Sequence, residues 1–265
     1  MRVNGRIKVM MYFLSVWLFA MVASGCKSND MEAEPDYPES VTDIDGNVYD
    51  AVVIGDQVWM AENLRVSRYQ NGDPIASGLN NEEWLNTNVG AYAIFPHNEA
   101  EGIDSEKEMA EAYGKLYNWF AVDDTRGLCP AGWRVPTDEE ITALTDYIKS
   151  NIQQDNVANV LKSCRQVNSP LGGDCDTEEH PRWNENQTHH GTDDLGFNAL
   201  PAGDRQTATG GFAAIGHWYT IWSSTEYDAD KAVQRWMRSN HGSLWDLDPA
   251  TKQAGKSVRC IWEGE

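Results

Sequence analysis

Apolar positions change their spacing several times along the chain, and each spacing predicts an element. Val48-Tyr49-Asp50-Ala51-Val52-Val53-Ile54 is rich in β-branched and aromatic residues and reads as a strand, preceded by the turn signal Asp45-Gly46-Asn47. Gly55-Asp56 turns the chain, and Gln57-Val58-Trp59-Met60 returns it as a hairpin. Ala61 to Leu64 leaves the hairpin, and residues 66–82 are polar, with Gly, Asn and Pro, hence loop. Glu83-Trp84 and Gly90 to Phe95 predict a short element and a strand, followed by an acidic loop from His97 to Asp104. From Glu106 to Phe120 the spacing turns helical, with Met109, Ala112, Tyr113, Leu116 and Phe120 on one face. Gly114 interrupts that pattern, so a helix starting after it is the alternative, and Tyr117 to Val122 also reads as a strand.

The most regular helix follows the stretch from Cys129 to Glu140, which reads as a tight turn, a short extended run and a helix start. Thr137 and Glu140 have capping-box spacing, Pro136 precedes the cap, and Ile141, Leu144 and Ile148 follow at helical period, to an end near Ser150-Asn151. Val157 to Cys164 predicts a second helix, and residues 165–194 a long irregular insert of the kind that often carries function. His217 to Glu226 and Ala232 to Arg238 read as strands, residues 239–254 as a polar loop holding Trp245, and Ser257 to Trp262 as the last strand. With no internal repeat and no second core, residues 41–265 predict one α+β domain of short antiparallel strands and two or three helices.

The first 25 residues predict a targeting segment. Arg2, Arg6 and Lys8 precede an apolar run from Val9 to Val22 that is short for a membrane span, and Ala23-Ser24-Gly25 stands just before Cys26. That arrangement resembles a bacterial lipobox, in which Cys26 is lipidated and becomes the mature N-terminus; an ordinary signal peptide beside a chance cysteine is the alternative. Residues 27–40 hold five acids and two prolines and read as a tether from Cys26 to the folded body. Acids just after a lipidated cysteine resemble the surface-export signal of Bacteroidetes lipoproteins, which implies an outer-membrane protein facing the cell exterior; a periplasm-facing anchor is the alternative. Besides Cys26 there remain Cys129, Cys164, Cys175 and Cys260, an even number in an exported chain, which predicts two disulfides. Of the three pairings we favour Cys129–Cys260 with Cys164–Cys175, the latter closing a short loop that holds Pro170 and Gly172-Gly173.

Charge narrows the partners. The chain carries a net charge of −20, and loss of residues 1–25 leaves 18 Lys and Arg against 41 Asp and Glu, near −23. Phosphate backbones and anionic headgroups are therefore excluded as partners, and contact with the membrane is through the lipid anchor only. Eleven Trp is a high count; Trp supplies buried area, but also stacking surface for sugars and protein partners.

The chain resembles the Fibrobacter succinogenes major paralogous domain, found in many Bacteroidetes lipoproteins. The residues that carry the resemblance are Val41 to Val48, Ile54 to Gln57, Trp59 to Leu64, Tyr117 to Trp119, Cys129 through Trp133 and Thr137 to Glu140, Gly196-Phe197, Leu200 to Gly203, Trp222 to Glu226 and Ser257 to Cys260. The resemblance implies a divergent C-type-lectin-like fold, with the two ends of the domain close together, irregular long loops on one face, and a binding function rather than a settled ligand or activity. That fold also carries formylglycine-generating enzymes, whose chemistry uses paired redox cysteines near the C-terminus. The last 90 residues here contain only Cys260, which argues against an enzyme of that kind. The Glu-Pro-Asn and Trp-Asn-Asp motifs of calcium-dependent lectins are absent; Trp183-Asn184-Glu185-Asn186 is only superficially close.

Asp193, Asp194, Asp246 and Asp248 offer incidental calcium ligands, against the plainer reading of a solvated acidic loop. His189-His190 beside Asp193-Asp194 lacks metal spacing, no nucleophile elbow occurs, and Glu139-Glu140 is explained by helix capping, so no catalytic residue, resident metal or cofactor is assigned. The best binding candidates are Arg235, Trp236, Arg238, His241, Trp245 and Asp246, because Arg and aromatics make hot spots and aromatics stack on sugar rings. The plain alternative places Trp222 and Trp236 in the core; Trp222 is expected there and Trp245 exposed. The expected function is a surface lipoprotein with a non-catalytic domain for a glycan or protein ligand. The alternatives are a structural or adhesin-type envelope component and an enzyme with an unrecognised site.

Overall fold

An antiparallel meander opens the fold. β1 (Ser40–Thr42) pairs with β2 (Val48–Ile54), which pairs with β3 (Gln57–Met60) in the register Val52 opposite Trp59. The turn between β1 and β2 is closed by Asp43, whose Oδ1 accepts from the backbone N–H groups of Asp45 and Asn47 at 2.9 Å each. The structure, a computed structural model, describes residues 37–152, 156–243 and 248–264. Cys26 and the targeting segment lie outside these residues.

The next stretch corrects the helix expected from Glu106 to Phe120. α1 (Asn81–Asn86) is capped by Asn80 and buries Trp84, and β4 (Tyr92–Ala93) follows. α2 (Glu106–Tyr113) starts at the Ser105 cap but stops at Gly114, whose φ of +77° suits a helix end. The chain then forms β5 (Leu116–Tyr117), paired with β4, and the single turn α3 (Trp119–Val122), capped by Asn118. Gly114 ends one element instead of starting it, and the apolar run beyond it divides between strand and helix. Any side chain at Gly114 would meet Asn63 Cβ at 2.6 Å.

β6 (Trp133–Arg134) leads into α4 (Asp138–Asn151), where Thr137 and Glu140 form the expected capping box. Arg134 also donates to the Glu140 carboxylate, which is held below the usual carboxylate range by that guanidinium. α5 (Val157–Leu161) is shorter than the predicted Val157 to Cys164, and all five of its residues are buried. Beyond the irregular insert lie β7 (Asp204–Arg205), β8 (Phe212–Ala213), β9 (Trp218–Glu226), β10 (Lys231–Arg238), β11 (Asp248–Thr251) and β12 (Ile261–Trp262). Two expectations are corrected here: residues 239–254 include β11, and the last strand is only its final two residues.

The strands form a five-stranded sheet in the order β1-β2-β3-β12-β6, a three-stranded sheet β11-β10-β9 and two small pairs. The first and last strands share one sheet, and the Tyr37 and Trp262 rings pack edge to face at 6.0 Å, so the ends of the domain meet. Five α-helices occur among the described residues, two or three more than expected, with α1, α3 and α5 each under two turns. The α+β class holds. Both favoured disulfides form, Cys129–Cys260 with a Cα separation of 6.0 Å and Cys164–Cys175 at 5.0 Å. One apolar cluster surrounds the first disulfide with Met60, Trp133 and Trp222; another packs α4 and α5 on Trp59, Trp183 and Phe197. No helix among the described residues is long and apolar enough to cross a membrane.

Candidate functional site

The segment from residue 217 to 238 folds as the β9–β10 ribbon, and strand alternation divides its side chains between two faces. Val233, Arg235 and Met237 turn inward, and Gln234, Trp236 and Arg238 share the opposite face with Trp218 and Thr220 of β9. Among the described residues six Trp are buried, Trp222 among them as expected, whereas Trp218 and Trp236 are only half-buried. Their ring centroids lie 6.2 Å apart, and the Arg238 guanidinium sits 4.1 Å from the Trp236 ring and 5.3 Å from that of Trp218.

This face opens onto a cavity of about 470 Å³, bounded by Trp218 and Gln234, by Asp204 and residues 206–208 after β7, by Pro249 to Thr251 of β11 and by Lys256. A smaller hollow of about 80 Å³ between Trp218, Trp236 and Arg238 shares Gln234 and Lys256 with it. The cavity floor is an ion pair, Lys256 Nζ to Asp204 Oδ2 at 2.8 Å, with both side chains almost wholly buried. The two residues meet because their neighbours Arg205 and Gly255 exchange both backbone hydrogen bonds at 2.9 Å. That approach requires glycine at 255, where a Cβ would stand 2.7 Å from Arg205 Cβ. Arg205 then fixes the rim: its guanidinium donates to the Gly210 and Leu79 carbonyls and stacks 4.2 Å from the Trp84 ring. Burial lowers its pKa to about 10.

The six sequence candidates separate. Arg235 faces inward, with Nε 2.7 Å from Asp138 Oδ1 and Nη2 2.9 Å from Oδ2, so it anchors β10 to the start of α4 and is not part of the cavity. Trp236 and Arg238 line the hollow. His241 is exposed at the end of the ribbon, its ring stacked 5.9 Å from that of His189, and its carbonyl accepts from the buried ammonium of Lys162 at 2.7 Å. Burial pushes the Lys162 pKa down to about 7, and burial with the neighbouring Lys162, His241 and His190 also lowers that of His189. Trp245 and Asp246 lie outside the described residues. Asp193 Oδ1 accepts from the Asn198 backbone N–H at 2.7 Å, and among the described residues no group of three or more metal-ligating side chains converges. A separate hollow of about 280 Å³ beside Cys129 is lined by Val66, Leu128 and Pro130 and holds no comparable set of aromatic rims.

Sequence reasoning missed Asp204, Thr251 and Lys256; Trp218 lay inside the favoured segment 217–248 but was not singled out. Asp204 directly follows the Leu200-Pro-Ala-Gly203 motif and Lys256 directly precedes Ser257-Val-Arg-Cys260, so their nearness to those motifs was the available signal. Nothing in the linear spacing joins residue 204 to residue 256; the joining is done by the Arg205–Gly255 backbone bridge. No curated protein matches the chain. The family model of the Fibrobacter succinogenes major domain matches residues 52–262, which takes in the ribbon, the cavity and both disulfides, and the chain belongs to that family.

Proposed function

We propose that this protein is a non-catalytic binding lipoprotein, anchored through Cys26 to the outer membrane with its domain facing the exterior, and that its ligand is a carbohydrate held at the β9–β10–β11 cavity. One observation carries the reading: Trp218 and Trp236 are left half-buried side by side, Trp218 in the wall of a polar cavity and Trp236 in the small hollow next to it, while six other Trp fill the core. Half-buried indoles offer apolar faces to sugar rings, and a concave site with a few placed polar groups suits a small ligand better than a broad protein surface. Two disulfides support an oxidising location and also occupy the four cysteines that thiol chemistry would need. The lectin-like character implied by the sequence resemblance agrees with this use of the loops.

A glycan array probed with the purified protein tests the proposal. The expected result is retention on a defined glycan class, with Trp236→Ala weakening it at least tenfold at unchanged melting temperature. Absence of any retained glycan, together with co-purification of an envelope protein, would overturn it in favour of a structural or adhesin-type component.

A further inference from the structure

Bases crowd the end of the β9–β10 ribbon. Lys162, just after α5, is 1 % exposed; its Nζ donates to the His189 carbonyl at 2.9 Å and to the His241 carbonyl at 2.7 Å, with the Trp183 ring 5.2 Å away. One side chain thus joins the irregular insert to the segment that follows β10. The joint is close-fitting. The Thr192 N–H donates to the Asn159 carbonyl and the Ala158 N–H to the Gly242 carbonyl, each at 2.8 Å, and a Cβ at Gly191 would stand 2.0 Å from the Ser163 carbonyl oxygen. The His189 and His241 rings stack at 5.9 Å. His217, beside Trp218, closes the ribbon end: its Nδ1 meets Ser239 Oγ at 2.5 Å, and its carbonyl accepts from the Ser239 N–H at 2.9 Å.

This corner gathers positive charge in a chain whose net charge is −20. The charged and titratable groups that act on His189 are Lys162, His241 and His190, and those that act on His217 are Arg238 and Lys162; among the described residues no carboxylate does so. Burial first, and then these neighbours, hold both imidazoles below the ordinary histidine range, and burial alone brings Lys162 down to about 7. Losing a proton costs Lys162 neither contact, because a neutral amine keeps two N–H bonds, one for each carbonyl it holds. Gaining protons works the other way: each imidazolium adds a positive charge among bases. The contribution of the two histidines is complete above their unfolded value and is lost as pH falls through it toward the lower folded one.

We propose that Lys162, His189 and His217 form a pH-sensitive latch that pins the end of the ribbon, with Trp236 and Arg238 upon it, to α5 and the insert, and that opens in acid. The latch acts whatever the outer face of the ribbon binds, so it stands or falls apart from the carbohydrate reading.

Hydrogen exchange of the purified full chain, read by mass spectrometry and corrected for the intrinsic effect of pH, tests it. Between about pH 7.5 and about pH 4.5, peptides covering residues 186–192 and 238–243 should lose protection at least tenfold while β2 and β3 keep theirs. The double variant His189→Phe with His217→Asn retains a ring for the stack and an amide for Ser239, but gains no charge in acid, and its peptides should stay protected over the same range. In the unaltered chain the midpoint of opening should coincide with the titration of His189 or His217 followed by NMR, a measurement that decides the matter if the double variant does not fold. Protection that persists in acid, equal loss in β2 and β3, equal opening of the double variant, or a midpoint that matches neither histidine would overturn the latch.

Discussion

Replacing Arg235 by Met should unfold the domain more readily without removing a ligand contact. The guanidinium grips both Asp138 oxygens at 2.7 and 2.9 Å and also donates to Thr142 Oγ1 at 3.0 Å, with side-chain exposures of 10 % for Arg235 and 12 % for Asp138. Water screens such a pair little. Deleting one partner of a buried pair costs roughly 3–5 kcal/mol, mostly because the other charge is left uncompensated. Asp138 stands in the first turn of α4, where the positive end of the helix dipole continues to favour its charge by about 1 kcal/mol. That places Arg235→Met near the lower end, about 3 kcal/mol, or a fall in melting temperature of about 6–12 °C for a domain of this size.

Denaturation in urea, followed by intrinsic fluorescence and repeated on the double variant Arg235→Met with Asp138→Leu, measures this. The double variant should recover much of the loss, because no buried charge then lacks its partner. Below the transition, Arg235→Met should bind the same glycans as the unaltered protein. A variant with unchanged stability but no binding would refute the inward assignment of Arg235. A double variant no more stable than the single one would refute the account of the cost as an orphaned charge.

The disulfides should differ in weight. Closing 131 residues through Cys129–Cys260 restricts the unfolded chain by about 5 kcal/mol, against about 3 kcal/mol for the 11 residues of Cys164–Cys175, so paired Cys→Ser variants should lose stability in that order, as read from urea midpoints. Gly114→Ala should cost about 2 kcal/mol or more, because φ is +77° and the new methyl group would meet Asn63 Cβ at 2.6 Å; an unchanged melting temperature would contradict the helix-end assignment. Burial and the nearby Arg182 lower the His180 pKa to about 4, so the fold favours neutral imidazole. Its contribution is complete above the unfolded value of about 6.5 and is lost as pH falls from there toward 4. Asp193, raised to about 6 by burial, opposes this, since its neutral form gains as pH falls through the same range. Comparison with His180→Asn isolates the histidine: the unaltered protein should lose about 1–2 kcal/mol more than the variant between pH 7 and pH 4, discounted for partial exposure, and parallel curves would refute it.

Much of the fold was legible because local rules agreed with the tertiary structure. The β2–β3 hairpin follows from β-branched residues around Gly55-Asp56, and α4 from a capping box before a helical period. The region after Gly114 was illegible because a run such as Leu116 to Val122 fits both periods, and backbone pairing of Tyr92 with Tyr117 decided it. The site was half legible. Arg and Trp at 235, 236 and 238 marked the ribbon, but the face each residue takes depends on what lies beneath it, and Asp138 under Arg235 is 97 residues away. The Asp204–Lys256 floor could not be read at all, since it depends on a backbone bridge between positions 50 residues apart.

The same bridge explains why a cavity with loop-built walls can have a fixed floor. Residues 252–260 bury Lys252, Lys256 and Arg259, three cations within eight residues, and such charges persist only where partners meet them. Lys252 reaches Glu226 and the Ala229 carbonyl in the β9–β10 turn, Lys256 reaches Asp204, and Arg259 donates to the Phe197 carbonyl and to Asn63 Oδ1. The backbone N–H groups of Lys256 and Ser257 donate to the Tyr117 and Thr220 carbonyls, the Val258 carbonyl accepts from the Leu64 N–H, and Cys260 closes the disulfide to Cys129. This short strap therefore ties together β5, β9, the segment that leaves the first hairpin and the loop before β6. Lys256 sits in its middle, and moving that ammonium by an ångström would disturb all of them. A floor held in this way would lose little further freedom on taking up the proposed ligand, so it can act as the preorganised part of the proposed site. The rim from 206 to 208 and the strand from 249 to 251 stand around the ion pair that gives the cavity its polarity.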